Sequence, residues 1–221
     1  IDSPRLISEM LMEHVLGREQ IDLYANADRD ASDEELKTLR SFVKRTLENE
    51  PVQYIVGRAW FLGTKFNVDK STLIPRTCTE TIIEQTVRYC TDVASASGTH
   101  RIADIGTGSG CIAISLANVI PNCHITATDI SEDALCLAKE NAKTHDVDDR
   151  IHFLQGDCGA PISSLEPFDV ICSNPPYIPE HELSGLDPNV RDWEPQIALS
   201  GGEDGLEVIR PLIETTSNCL V

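Results

Sequence analysis

The feature that most constrains the fold is a regular alternation of helix and strand patterns from Thr79 onward. Short apolar runs that end at turn residues alternate with segments whose apolar residues recur at helical spacing. The predicted elements, in chain order, are a helix at 79–96, a strand at 101–105, a helix ending at 118, a strand at 124–128, a helix at 131–142, and strands at 151–154 and 170–172. Strands joined by helical crossovers form parallel βαβ units, so the pattern predicts an α/β fold with a doubly wound sheet.

The segment before this alternation has a different pattern. Residues 1 to about 50 are predicted to be helical: Ser3-Pro4 is a helix start, Gly17 a stop, and Ser32 to Glu35 a capping box. Residues 54–68 change to β character, including Tyr54-Ile55-Val56, with glycines between the runs, and predict a hairpin. We therefore expect three parts: a helical domain at 1–50, a β-hairpin linker at 51–72 and the α/β domain at 73–221.

A glycine loop follows the first strand of the α/β region and opens the next helix. Its residues are Asp104, Ile105, Gly106, Thr107, Gly108, Ser109 and Gly110. Glycines in this context allow a tight turn and a close approach of a nucleotide-like ligand to the backbone. The G-x-G-x-G spacing differs from the G-x-G-x-x-G of dinucleotide binders. An acid just before the first glycine suits a cationic amine, such as the methionine end of S-adenosylmethionine. A purely structural turn is the alternative.

Two further acids follow the next two strands. Asp129 closes a strand 23 residues after Gly106, where a carboxylate is placed to accept hydrogen bonds from ribose hydroxyls. The alternative is that Asp129 only begins the helix cap completed by Ser131. Gly156-Asp157-Cys158 follows the third strand, so Asp157 and Cys158 are expected beside the adenine. A Gly-Asp pair is also an ordinary turn.

The most specific motif is the run that follows the fourth strand, Asn174-Pro175-Pro176-Tyr177. The prolines fix the backbone and hold the preceding residue extended. The Asn174 side-chain oxygen and the Pro175 carbonyl then form a rigid pair of acceptors for a planar NH₂ group, on which Tyr177 can stack. The same position lets Asn174 border the cofactor. These four residues are the predicted catalytic residues, and their contribution is mainly positioning.

Composition excludes several classes of function. A net charge of −18 at pH 7 opposes non-specific nucleic-acid binding, which depends on Lys and Arg. No CxxC or CxxH pair occurs, so no zinc site is expected. The eight cysteines are scattered singly, which is typical of a reducing compartment. No apolar run is long enough to span a membrane.

Together these motifs resemble the HemK/PrmC family, the N5-glutamine methyltransferases of peptide release factors. Residues 51–57 and 61–63 look like the interdomain hairpin of that family, and residues 73–80 resemble its L-I-P-R-P-x-T-E signature, with Thr77 in place of the usual proline and Cys78 at the variable position. Residues 190–195, 198–199 and 201–206 resemble the V-R-x-[YFW]-E-P, A-L and G-x-D-G-L segments. The likeness extends over nearly the whole chain.

The resemblance implies a class I (Rossmann-like) S-adenosylmethionine-dependent methyltransferase sheet, with the helical N-terminal domain recognising the substrate. The substrate implied is the glutamine of a Gly-Gly-Gln motif in a class 1 release factor, the substrate-side residues are Arg76, Glu194 and Pro195, and no metal is implied. We expect a monomer, located in the cytoplasm if the chain is bacterial and in a mitochondrion or other organelle if it is eukaryotic. The family continues with another strand and a final hairpin, so the last strands of its sheet are expected to be absent from this chain, which ends at Val221.

Two other interpretations are compatible with parts of the sequence. An N6-adenine nucleic-acid methyltransferase also positions a planar NH₂ group and uses a similar proline loop. A non-catalytic protein could retain the fold as a binding scaffold. The acidic charge and the absence of a Lys/Arg-rich patch disfavour the first, and S-adenosylmethionine binding would distinguish the second.

Overall fold

The computed structural model describes residues 3–92 and 98–221. Its N-terminal part is helical, as predicted, with the helices α1 (Pro4–Leu16), α2 (Gln20–Ala25), α3 (Asp33–Leu47) and α4 (Val52–Val56). The hydroxyl of Ser3 caps α1, and Gly17 ends it in the left-handed conformation. Ser32 and Glu35 form both hydrogen bonds of the capping box at the start of α3. These helix boundaries follow from local capping chemistry and were therefore readable in the sequence.

The prediction of β structure at Tyr54-Ile55-Val56 is wrong. These residues belong to α4, whose apolar side chains pack with Leu11 of α1 in a separate small cluster. As a helix, the segment can bury its apolar face against α1, and this burial outweighs the β propensity of its residues. The hairpin itself begins immediately afterwards, with β1 (Arg58–Phe61) and β2 (Thr64–Asn67) paired antiparallel.

A two-residue turn joins the strands of the hairpin. Leu62 and Gly63 both have positive φ, at 48° and 71°, which matches the twist that tight hairpins require. The amide of Leu62 donates to the side chain of Glu80 at 2.9 Å, so the turn is bound to the first turn of the next helix, α5 (Glu80–Asp92). Of the helix predicted at 79–96, residues 93–96 lie outside the described residues.

The described residues form one larger sheet, which has four parallel strands. They are β3 (His100–Ile105), β4 (Cys123–Asp129), β5 (Ile151–Gln155) and β6 (Val170–Ser173), in the spatial order β5-β4-β3-β6. Helices α6 (Cys111–Val119) and α7 (Glu132–Thr144) are the crossovers between β3, β4 and β5. This is the doubly wound α/β arrangement predicted. Strands β4 and β5 extend the sheet on one side of β3, whereas β6 lies on its other side, so the strand order reverses at β3. Ligands of such sheets bind at the point of reversal.

The main core lies between this sheet and its helices. In α6 the run of seven residues from Cys111 to Ala117 is buried, and these side chains pack with Ile102 and Ile125 of the central strands. Burial on this scale fixes the register of β3, β4 and α6, and with it the loop between β3 and α6. No helix in the described ranges is long and apolar enough to cross a bilayer.

The segment after β6 folds back over the end of the sheet. It contains α8 (Glu180–Leu183), α9 (Pro188–Arg191) and α10 (Ile209–Thr216). Ile178 forms a parallel bridge with Ser200, and its carbonyl accepts a hydrogen bond from the amide of Gly201 at 2.9 Å. Leu220 forms a parallel bridge with Phe168 just before β6, which is an edge strand of the described sheet.

Candidate functional site

A cavity of about 260 Å³ lies at the carboxyl ends of β3, β4 and β6. Its walls come from the loops that follow these strands, together with the segment between the hairpin and α5 and with residues from the chain after β6. Of the predicted site residues, those that line it are Arg76, Gly106, Thr107, Gly108, Ser109, Asp129, Asp157, Cys158, Asn174, Pro175 and Pro176. Loops that are far apart in the sequence therefore meet at one site, as the parallel sheet predicts.

The glycine loop forms the floor of the cavity. Gly106 and Gly108 have φ values of 72° and 56°, in the left-handed region that disfavours side chains. A Cβ added to either glycine would meet no described atom within 4 Å, so both face open space. Gly110 has another role: it precedes α6, and a Cβ there would lie 3.2 Å from the Cβ of Ala138 in α7. The first two glycines keep the cavity open, and the third lets two helices approach.

Asp104 lies beneath the loop rather than in the cavity wall. It is fully buried, and its Oδ2 accepts hydrogen bonds from the Thr107 hydroxyl at 2.6 Å and from the Ala113 amide at 3.2 Å. Its Oδ1 has no hydrogen-bond partner among the described residues. Burial raises the pKa of Asp104 to about 7, with the two hydrogen bonds opposing the shift. One oxygen of this buried carboxyl is therefore left, beneath the floor of the cavity, without a donor from the described residues.

Asp129 binds the protein backbone on both sides. Its Oδ2 accepts from the amide of Gly108 at 2.8 Å, and its Oδ1 accepts from the amide of Ser131 at 2.9 Å. The capping contact raised as an alternative is thus present, and Ser131 also caps α7 through its own hydroxyl, as predicted. Each carboxylate oxygen can accept a further hydrogen bond, so these contacts leave acceptor capacity for a ligand.

Asp157 and Cys158 lie at the side of the cavity after β5. Asp157 is exposed, and Cys158 is half-buried with a positive φ of 46°, which is uncommon outside glycine. Burial raises the pKa of the Cys158 thiol to about 11, and the neighbouring Asp157 carboxylate adds to the shift. Cys158 is therefore a neutral thiol at physiological pH and serves as an apolar wall residue.

Asn174 is held by Thr79, the residue directly before α5. Its Nδ2 donates to the hydroxyl of Thr79 at 3.4 Å, a long contact that directs the NH₂ group toward α5. In this orientation the side-chain oxygen remains an acceptor. Pro175 and Pro176 follow it along the same wall and carry no backbone N–H. This part of the wall therefore offers no backbone N–H that would compete for an acceptor.

An ion pair joins Arg76, in the cavity wall, to Glu194, which lies 118 residues later in the chain. The Arg76 Nη2 donates to Glu194 Oε1 at 2.5 Å, and the amide of Ile74 donates to Glu194 Oε2 at 3.3 Å. Glu194 is 4% exposed, and burial raises its pKa although the guanidinium of Arg76 acts in the opposite direction. Arg76 reaches the cavity, whereas Glu194 and the adjacent Pro195 do not line it.

Tyr177 is not part of the cavity wall: it is 58% exposed and lies at the surface. Its carbonyl packs against Gly205, where an added Cβ would come within 2.5 Å of that oxygen. A glycine at position 205 therefore lets its backbone approach the backbone of Tyr177 closely. A stacking role for Tyr177 requires a ligand that extends out of the cavity.

The structure also adds residues that sequence reasoning missed. Thr79 holds Asn174, and the hydroxyl of Thr72, a cavity residue that is 1% exposed, has no hydrogen-bond partner among the described residues. The other added wall residues include Ser71, Ile197 and Ala198. Thr79 and Ala198 lie inside segments already recognised as motifs, and Thr72 lies directly before the segment 73–80. Closeness to these segments was the signal that could have identified the three residues.

Two family models match the chain. One is described as the PrmC N-terminal domain and matches residues 1–57; the other is described as the methyltransferase small domain and matches residues 84–186. The first spans the N-terminal helices, and the second contains the glycine loop, Asp129 and the Asn174 motif. Together they match the two parts of the chain that the structure distinguishes by their cores.

Several curated proteins are similar over most of the chain, and each is called a release factor glutamine methyltransferase. The protein from Chlorobaculum tepidum is 43% identical over 90% of this chain and 69% of its own length. Those from Geobacter sulfurreducens and Rhodopirellula baltica are 39% and 38% identical, each over 96% of this chain and 72% of their own length. The similarity therefore includes the N-terminal helices and the segment after β6 as well as the residues of the sheet.

Among solved structures, the catalytic domain of hMettl16 in complex with an RNA hairpin is similar in fold. It is 18% identical, with a TM-score of 0.51, over 69% of this chain and 56% of the other. This likeness concerns the methyltransferase fold alone.

Proposed function

The chain belongs to the release factor glutamine methyltransferase family, and from this premise we propose that it methylates N5 of the glutamine in the Gly-Gly-Gln motif of a class 1 peptide chain release factor. The observation that carries the proposal is the position of the Asn174 motif. It shares one cavity with the glycine loop, so a planar amide and a nucleoside cofactor can lie side by side.

The residues of the cavity fit S-adenosylmethionine as the cofactor. Open space over Gly106 and Gly108 suits a ligand that lies close to the backbone. Asp104, which is buried beneath the loop with one unpartnered oxygen, would favour the cationic amine of such a ligand from below the cavity floor. Asp129, with acceptor capacity at the end of β4, would bind the ribose hydroxyls, and Asp157 would bind the adenine amine. When bound, S-adenosylmethionine supplies a methyl group activated by its positive sulfur.

The chain's own residues hold the acceptor nitrogen. The lone pair of an amide nitrogen is delocalised, so the nitrogen is a weak nucleophile and must be oriented accurately. The Asn174 oxygen and the Pro175 carbonyl would each accept one N–H of the glutamine amide and fix its plane. Thr79 supports this role by holding the other end of the Asn174 amide at 3.4 Å. Positioning of this kind can contribute about 7–11 kcal/mol to barrier lowering.

Arg76 and Glu194 would serve on the substrate side. Their ion pair ties the segment before α5 to the segment after α9 and keeps the Arg76 guanidinium at the cavity. A guanidinium in this place can donate to the main-chain carbonyls of an extended Gly-Gly-Gln segment. Pro195 would shape the wall behind Glu194.

We assign substrate recognition to the N-terminal domain, residues 1–50, with the hairpin linker at 51–72 and the catalytic domain at 73–221. Large apolar side chains are exposed on its helices, notably Ile21 and Leu47, at 74% and 79%. Surfaces of this kind suit a protein partner. The relatives compared above are bacterial, which supports action in the cytoplasm on a release factor. We propose that the enzyme acts as a monomer.

The direct test is incubation of recombinant class 1 release factor with this protein and S-adenosylmethionine, followed by peptide mass spectrometry. The expected product carries one added methyl group on the glutamine of the Gly-Gly-Gln peptide. A release factor with that glutamine changed to alanine is the matched control and should remain unmodified. A short synthetic Gly-Gly-Gln peptide should be a much poorer substrate if the N-terminal domain contributes recognition. An unmodified glutamine with cofactor bound would contradict the proposal.

A further inference from the structure

A buried asparagine, Asn141, lies outside every motif recognised in the sequence. It is in the last turn of α7 and is 0% exposed. Asparagine is a poor helix former and is rarely buried without a specific role, because its amide must find hydrogen-bond partners. Its three contacts therefore indicate what it does.

Two contacts of Asn141 are with the hairpin. The side-chain Oδ1 accepts from the backbone amide of Asn67 at 2.9 Å, and Nδ2 donates to the backbone carbonyl of the same residue at 2.9 Å. Asn67 is the last residue of β2, so the carboxamide takes the place that a neighbouring strand would occupy. The pair of bonds fixes the position of β2 against α7.

The third contact of Asn141 is with the glycine loop. Its Nδ2 also donates to the backbone carbonyl of Ser109 at 2.9 Å. Ser109 lines the cavity, and its neighbour Gly110 packs directly on Ala138, one turn earlier on the same face of α7. The two donors of the amide are thus divided between the hairpin and the cavity floor.

We propose that Asn141 is a positioning residue that fastens the glycine loop to the hairpin, so that occupation of the cavity and the placement of the hairpin are coupled. The inference rests on the proposed function in one respect, namely that the cavity receives S-adenosylmethionine. The hairpin follows directly on α4, which packs with α1, so the connection continues toward the N-terminal helices. Asn141 acts through Ser109 and Asn67, and it does not line the cavity.

His145, which directly follows α7 and lies four residues after Asn141, provides a matched control. Its ring nitrogen Nε2 lies 2.9 Å from the carbonyl of Lys65, and its ring packs on Phe66. It therefore joins the end of α7 to the same strand, and none of its described hydrogen bonds reaches the glycine loop. Loss of this contact should weaken the attachment of the hairpin while leaving the cavity floor in place.

The experiment measures S-adenosylmethionine affinity by calorimetric titration for the parent, Asn141→Ala and His145→Ala, with Tm recorded for each. Asn141→Ala is expected to raise Kd about tenfold, because a buried carbonyl of the loop loses its donor. His145→Ala is expected to lower Tm and to leave Kd within about twofold. Equal Kd values for Asn141→Ala and His145→Ala would overturn the inference.

Hydrogen exchange of the Asn67 amide in the parent protein is a second measurement. It needs no variant, so a variant that fails to fold does not affect it. Cofactor binding should slow exchange of the Asn67 amide severalfold, since that amide donates to Asn141. Unchanged exchange at Asn67 on binding would overturn the coupling. If the parent binds the cofactor but either expected result is not seen, this inference alone is contradicted. If the parent does not bind the cofactor, the proposed function and the inference are contradicted together.

Discussion

The N-terminal helices and the parallel sheet are stabilised by different means. In α3 no described residue is buried, and the helix is supported by its capping box and by ion pairs such as Arg29–Glu35 and Arg45–Glu50. In α6 the run from Cys111 to Ala117 is buried. Capping, ion pairs and a small apolar cluster maintain the first region, whereas extensive apolar burial maintains the second. The first region leaves apolar side chains such as Ile21 and Leu47 exposed, and the second carries the cavity.

The largest expected effect is on the free energy of unfolding, and it is tested by replacing one leucine in each region. Leu116 in α6 is 0% exposed and Leu47 in α3 is 79% exposed. Leu116→Ala should lower the free energy of unfolding by about 2–5 kcal/mol, because it leaves a cavity in the core. Leu47→Ala should change it by less than about 0.5 kcal/mol. Urea denaturation of both variants measures the contrast, and similar losses would show that the N-terminal helices share the main core.

The next effect concerns catalysis within the rigid region. Asn174→Ala should lower the single-turnover rate about 10²–10³-fold, since an oriented acceptor is lost, while Tm and cofactor affinity stay near the parent values. Asn174→Asp should be less harmful because it keeps an acceptor. Asn118→Ala, an exposed residue of α6, serves as the control. A fall in Tm that parallels the fall in rate would assign Asn174 to the turn alone.

A smaller effect is expected at the cofactor side of the cavity. Asp129→Ala should weaken S-adenosylmethionine binding about 10- to 100-fold, because charge-assisted hydrogen bonds to the ribose and the bond to Gly108 are lost. Asp133→Ala, an exposed acid in the first turn of α7, should leave the affinity unchanged. Calorimetric titration measures both. An Asp129→Ala variant that binds as tightly as the parent would remove Asp129 from the site.

The smallest expected effect is on the pH dependence of stability, which has opposite signs for one carboxyl group in each region. Burial raises the pKa of Asp104 to about 7, so its contribution to stability is fully present below its unfolded pKa near 4 and is lost as pH rises toward 7. Hydrogen bonds from Arg29 and Ser32 lower the pKa of Glu35 to about 2, so its contribution is present above about pH 4 and is lost as pH falls toward 2.

Tm measured against pH for the parent and for Asp104→Asn, without cofactor, tests this difference. The parent should lose a few degrees relative to the variant between about pH 4 and pH 7. Glu35→Gln should remove a stabilisation that the parent shows only above about pH 4. Parallel curves for parent and Asp104→Asn would mean that the buried carboxyl carries no such penalty.

Residues whose role is decided by near neighbours were predictable from the sequence. The caps at Ser3, Gly17, Ser32 and Ser131 act within one helical turn, and all four were identified. The glycine loop and Asn174 were likewise placed, because strand ends and proline geometry are local properties. The same reasoning gave the α/β fold, since parallel strands need helical crossovers.

Residues whose role depends on distant partners were missed or misplaced. Val52–Val56 is helical because it packs on α1, which its β propensity conceals. The fold also decides the surroundings of two predicted site residues, whose roles stay predictions: Tyr177 is exposed, and Asp104 is buried in β3 beneath the glycine loop. Asn141 reads as an ordinary helix residue until Asn67 and Ser109 are brought to it by the fold. Pairings over such separations cannot be inferred from one sequence.

The ion pair between Arg76 and Glu194 has a consequence for the order in which the protein forms. It joins positions 118 residues apart, and the pairing of β3 with β6 also spans two intervening strands. Closing such long loops costs chain entropy and slows folding. Because synthesis proceeds from the N-terminus at about 5–20 residues per second, the early helices have seconds to fold before the last wall of the cavity leaves the ribosome. The binding site of the enzyme is therefore completed only after the N-terminal helices have had time to form.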